Sequence, residues 1–147
     1  MKTKHDVINW LEDNRQQFID MANAIWDKPE IAWHEFFASK LQADFLEEQG
    51  FRVKRDIAGM NTAFTAEWGT GKPILGFAGE YDALPGLSQK CQPTKEALVE
   101  GGMGQGCSHN LLGTAHVAAV VALKQWMQAN GVPGTLRYYG CPAEEAG

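Results

Sequence analysis

Apolar residues recur every three or four positions over residues 7–26: Ile8, Leu11, Phe18, Ile19, Ala22, Ile25 and Trp26. This period matches one face of an α-helix, and it predicts a single amphipathic helix ended by Pro29. A second helix is predicted over residues 34–49, where Phe37, Leu41 and Phe45 lie four apart and Gly50 supplies a C-terminal stop. Residues 51–55, 62–68 and 74–78 then read as strands, and Gly69-Thr70-Gly71-Lys72 predicts a hairpin between the last two. Residues 80–106 show no period at all, and a loop this long in a compact domain is functional or mobile. Residues 110–130 are apolar around most of a helical circumference, as expected of a buried helix lying on a sheet. Gly131 ends that helix and residues 135–139 form a last strand. The order of elements predicts a layered α/β domain with a mixed sheet.

Composition narrows the function classes. A chain of 147 residues supplies one domain, and 44% hydrophobic residues give it a core and argue against disorder. Thirteen basic against eighteen acidic residues, with no basic stripe, exclude nucleic acid as an expected partner. The longest apolar run, residues 117–123, is far short of the ~20 residues of a membrane span, so no membrane partner is expected. The polar start, Met1-Lys2-Thr3-Lys4-His5-Asp6, does not read as a signal peptide. Cys91, Cys107 and Cys141 form an odd set, which reads as reduced thiols in a cytoplasmic protein.

The candidate chemistry lies in three clusters. Cys107 and His109 are two apart, a spacing that in extended backbone points both side chains to one side. Glu144 and Glu145 follow the last strand, and open α/β sheets place ligands at such strand ends. One carboxylate of the pair can hold a metal while its neighbour takes a proton from water. Asp82, in Glu80-Tyr81-Asp82, follows another strand and is placed to orient a metal-bound histidine. Each cluster also has a plainer reading: a buried cysteine beside a surface histidine, a solvated acidic turn, a loop cap. His34 and His116 read as surface and packed helix residues, and Cys91 has no evident partner. A cysteine hydrolase built on Cys107 and His109 is a weaker alternative, since no third orienting group is evident.

Taken in order, the segments Gly79-Glu80-Tyr81-Asp82-Ala83-Leu84-Pro85, Gly106-Cys107-Ser108-His109-Asn110 and Gly140-Cys141-Pro142-Ala143-Glu144-Glu145 resemble the metal-dependent aminoacylase and carboxypeptidase family, in its p-aminobenzoyl-glutamate hydrolase-like branch. The resemblance implies a three-layer α/β/α catalytic domain with a mixed sheet. It also implies Cys107, His109 and Glu145 as ligands of one or two zinc or manganese ions, and Glu144 as general base. The implied substrate is an N-acyl or N-aroyl amino acid, hydrolysed at its amide. Ser108 departs from the branch, which has glycine between the cysteine and the histidine. Family members are longer, so residues 1–147 are expected to be part of the catalytic domain, without the inserted lid or dimerisation domain and the later histidine ligands. Weak metal affinity and little activity are expected of such a piece. The alternative is a truncated, non-catalytic assembly module that keeps the fold. The last strand is expected to lack neighbours, and the resulting open edge would drive homo-oligomerisation.

Overall fold

The computed structural model describes residues 1–146. Its elements run α1 (Lys4–Asp13), α2 (Arg15–Asp27), α3 (Phe36–Glu48), β1 (Arg52–Arg55), β2 (Phe64–Thr70), β3 (Ile74–Glu80), α4 (His109–Asn130) and β4 (Gly134–Cys141). Short 3₁₀ turns occupy Ile57–Gly59 and Glu144–Ala146. The single first helix expected over residues 7–26 is in fact two. Asn14 breaks it: its Nδ2 donates to the Trp10 carbonyl at 2.8 Å, competing with helical continuation. The apolar stripe belongs to α2, which buries Phe18, Met21, Ala22 and Ile25, whereas α1 buries none of its residues. Helix α3 starts at Phe36, slightly inside the expected range of 34–49. Its first turn is capped from a distance by Glu30, whose carboxylate accepts from the Phe37 and Ala38 N–H groups at 2.9 and 3.0 Å.

The four strands form one mixed sheet in the order β1-β2-β4-β3. The hairpin expected between β2 and β3 does not form, because β4 lies between them. It pairs antiparallel with β2 (Phe64↔Gly140 to Thr70↔Gly134) and parallel with β3 (Ile74↔Thr135 to Glu80↔Cys141). Residues 71–73 therefore span the width of an intervening strand rather than a tight turn. Thr135 holds this wide connection, donating its N–H to the Pro73 carbonyl and its hydroxyl to the Gly71 carbonyl. The hairpin of the fold is β1–β2 instead. The expectation that the last strand lacks neighbours is likewise overturned: β4 is central, and β1 and β3 are the edges. The side chains explain the order. Leu136 and Tyr138 of β4 are fully buried, whereas Ile74 and Leu75 of β3 are exposed.

Helices α3 and α4 pack on the sheet face that carries Phe64, Ala66, Leu136 and Tyr138, and α2 packs against both helices. This fold class is the three-layer α/β/α arrangement with a mixed sheet. The chain supplies the sheet and the helices of one face. The opposite face carries Thr65, Glu67, Ile74, Ala78, Arg137 and Tyr139, none of them buried. Tyr138 ties the helical layer together: its ring stacks on Phe64 at 5.6 Å, and its hydroxyl donates to Gln42 Oε1 of α3 at 2.6 Å. Gly113 lets the first turns of α4 lie directly on the end of β3, since a Cβ there would meet the Glu80 carbonyl oxygen at 2.3 Å. Lys124 of α4, which the apolar pattern does not single out, is buried and donates to the Gln49 carbonyl after α3.

On the open face, Glu67 accepts from Arg137 Nε at 2.9 Å and from Arg52 at 2.9 Å, cross-linking three strands. These two guanidinium groups, Arg137 first, hold the Glu67 carboxyl below its ordinary value of 4.5. The folded value is depressed, so the stabilisation is full above about pH 4.5 and is lost as pH falls through the lower folded value. Glu67→Gln is expected to cost about 0.5–1 kcal/mol at pH 7 by urea unfolding, as exposed ion-pair networks do. The gap between variant and parent should close below pH 4.5.

Candidate metal centre

Strands β3 and β4 run parallel with Glu80 opposite Cys141, so the chain leaves both strands at one end of the sheet. The N-terminus of α4 is brought to that end by the close approach at Gly113. Ligands of open α/β sheets gather at such carboxyl ends. Three segments meet there: Glu80 to Asp82 after β3, Cys107 to His109 entering α4, and Glu144–Glu145 after β4.

His109, 2% exposed, is the centre of the cluster. Its Nδ1 lies 2.9 Å from Asp82 Oδ1 and 3.0 Å from the Asp82 carbonyl oxygen. Both partners are acceptors, so Nδ1 carries a proton and Nε2 is the free position. Nε2 faces three carboxylates: Glu80 at 3.2 Å, Glu144 at 3.7 Å and Glu145 at 3.9 Å. One Glu145 oxygen, Oε1, is buried without any hydrogen-bond partner. The possible ligand atoms of Cys107, His109 and Glu145 all lie within 4.8 Å of one another, as do those of Glu80, His109 and Glu144. Several carboxylates and an orphaned buried oxygen around one point repel each other unless a proton on Nε2 or a metal cation sits among them. The donor set of imidazole, carboxylate and thiol fits a divalent transition metal.

Cys107 is exposed. Desolvation, and then the Glu145, Glu144 and Glu80 carboxylates, push its thiol above the ordinary value. The reason Cys107 and His109 reach one point differs from the extended spacing expected. Ser108 between them is left-handed, with φ 64° and ψ 30°, and His109 already begins the helix. Ala143, just before Glu144, is left-handed as well, with φ 57°. Both acidic and thiol–imidazole segments thus enter the centre through a conformation that costs a non-glycine residue roughly 1–2 kcal/mol.

Asp82 is 1% exposed and does two things at once: its Oδ2 also accepts from the Glu145 N–H at 2.9 Å. Two participants were not singled out from sequence. Glu80 ends β3 two residues before Asp82, and as a strand-end carboxylate beside that residue it carried a usable signal. Gln105 carried none. It is buried, donates to the Tyr81 carbonyl at 3.3 Å and accepts from the Asn110 N–H at 3.1 Å, so it ties the neighbours of Asp82 and His109 together. His34 and Cys91 are exposed, His116 is half-buried within α4, and these three are in neither ligand cluster.

No family model matches the chain. Individual relatives do. It is 47% identical over 140 residues to one subunit of the p-aminobenzoyl-glutamate hydrolase of Escherichia coli (strain K12), covering 93% of this chain and 29% of that protein. It is 30% identical over 144 residues to Xaa-Arg dipeptidase of Homo sapiens, covering 86% of this chain and 29% of that protein. In structure it superposes on the Bacillus subtilis YXEP protein, a dinuclear metal binding peptidase from the M20 family, with a TM-score of 0.66 and 25% identity. That match covers 88% of this chain and 35% of the other. The chain is homologous to the M20 metal-dependent amidohydrolases and peptidases. It spans less than a third of the length of these two sequence relatives.

Within this M20-like frame the left-handed serine is a local cost rather than a requirement of the chemistry. Ser108→Gly is expected to raise stability by about 0.5–1 kcal/mol, the αL relief less the entropy of glycine in the unfolded chain. Urea unfolding of the metal-free protein reads this out, and the variant should lose no metal affinity.

Proposed function

We propose that the chain is the metal-binding part of an amidohydrolase that cleaves N-acyl or N-aroyl amino acids, an aminobenzoyl-glutamate type of amide among them. The carrying observation is His109 Nε2, turned toward three carboxylates while Nδ1 is locked by buried Asp82. The substrate class is supported by the 47% identity to the Escherichia coli p-aminobenzoyl-glutamate hydrolase chain. Cys107, His109 and Glu145 would hold a zinc or manganese ion, with Glu80 and Glu144 beside a second position. When bound, such an ion supplies Lewis acidity and lowers the pKa of water.

The residues of this chain do the rest. Glu144 has a side chain 50% exposed, so it can meet both solvent and substrate. It takes the proton of the attacking water as the carbonyl carbon gains oxygen, then delivers it to the departing nitrogen as the C–N bond breaks. Asp82 keeps the imidazole in one tautomer and at one angle throughout. Glu145 would be a ligand of the ion, and its backbone is held by Asp82. A cysteine hydrolase fits the same residues less well. The Cys107 thiol is pushed up rather than down, and Asp82 holds the His109 ring with carboxylates, not a thiol alone, before its free nitrogen.

Zinc or manganese added to the chain is expected to slow labelling of Cys107 by thiol reagents about tenfold or more, as ligation consumes the thiolate. A labelling rate unchanged by either ion would overturn the reading. In an active form that contains this chain, Glu144→Gln should keep the metal, by elemental analysis, and lower hydrolysis of p-aminobenzoyl-glutamate by about 100-fold or more.

A further inference from the structure

The centre leaves one buried carboxylate unexplained. Glu35, just before α3, is 0% exposed and makes no salt bridge among the described residues. Burying a carboxylate without a cation is expensive unless its oxygens are satisfied, and an apolar side chain of that size would cost less. Its oxygens are satisfied by donors from three parts of the chain. Oε1 accepts from the Trp33 N–H at 2.9 Å and the Ala143 N–H at 2.8 Å, and Oε2 accepts from the Thr62 hydroxyl at 2.8 Å. Thr62 is held from its other side by the Tyr81 hydroxyl, which donates to its carbonyl. Tyr81 is the residue before Asp82.

Ala143 is the left-handed residue that sets the direction of Glu144 and Glu145. Its N–H is fixed by Glu35, and the N–H two residues on, that of Glu145, is fixed by Asp82. Two buried carboxylates from different elements thus hold the short segment 143–145 at both ends.

We propose that Glu35 is a positioning residue: by anchoring the strained Ala143 peptide it aims the Glu144 and Glu145 carboxylates at the free nitrogen of His109. Gln is the conserving replacement, because its amide oxygen can serve the two N–H groups while its NH₂ donates to the Thr62 hydroxyl, which can turn to accept. Ala removes the anchor.

The test compares the chain with Glu35→Ala and Glu35→Gln, all at a temperature where circular dichroism shows them folded. The first readout is amide hydrogen exchange without metal. Glu35→Ala is expected to speed exchange about tenfold at Ala143 and Trp33, and also at Glu145, whose N–H never touches Glu35. Glu35→Gln should stay within about threefold of the parent at all three. The second readout, which rests on the metal-centre reading, is zinc affinity: a loss of about tenfold or more in Glu35→Ala, and little loss in Glu35→Gln. Faster exchange confined to Ala143 and Trp33, with Glu145 unchanged, would overturn the proposal and leave Glu35 a local filler. A parent chain that binds no zinc would sink the metal reading alone, with exchange at Glu145 still deciding the role of Glu35. Should Glu35→Ala not fold, the unsubstituted chain decides. Ala143 and Glu145 protected to within about threefold of each other support a shared anchor, and Ala143 exchanging at the rate of an open loop rejects it.

Discussion

Asp82 Oδ1 fixes the imidazole of His109, and Oδ2 fixes the backbone of Glu145. A single buried carboxylate therefore sets the distance between the start of α4 and the segment after β4. Hydrogen bonds to charged groups are worth roughly 1.5–3 kcal/mol each. The greater effect is geometric. Without Asp82 the ring could turn about its own bond, and the lone pair that faces Glu80, Glu144 and Glu145 would no longer be defined. The sheet serves this carboxylate: β3 delivers it, β4 delivers its second partner, and their parallel register brings both to one end.

Much of this was legible from residue types and spacing. The helical periods of α2, α3 and α4 are strong because each buries a continuous stripe, and Asp82, Glu144 and Glu145 near strand ends and Cys107 and His109 at a helix start stand out as unusual chemistry. What was not legible depended on pairing at a distance. The Gly69-Thr70-Gly71-Lys72 segment has the composition of a hairpin turn, but composition says nothing of a strand sixty residues later that inserts between its arms. Asn14 ended a helix through a side-chain bond to Trp10 that a period of apolar residues cannot register. Gln105 and Glu35 act through backbone groups, and backbone partners leave no mark in a sequence.

The open sheet face and the helical face contrast in chemistry as well as burial. On the helical side Phe64, Leu136 and Tyr138 interlock, and Gly140 is obligatory because a Cβ there would enter the Phe64 ring. On the other side Arg52, Glu67 and Arg137 pair across strands beside Ile74 and Tyr139, which are exposed.

The contacts that define the centre span long stretches of polypeptide: 27 residues from Asp82 to His109, 63 from Asp82 to Glu145 and 108 from Glu35 to Ala143. Closing such loops costs entropy before any contact repays it, and the cost rises with the logarithm of their length. During synthesis residues up to Glu145 must be released before the acidic pair can dock between its two anchors. High contact order of this kind slows folding. The ligand cluster is thus incomplete in any nascent chain that stops short of Glu145, because that residue supplies one of its donors.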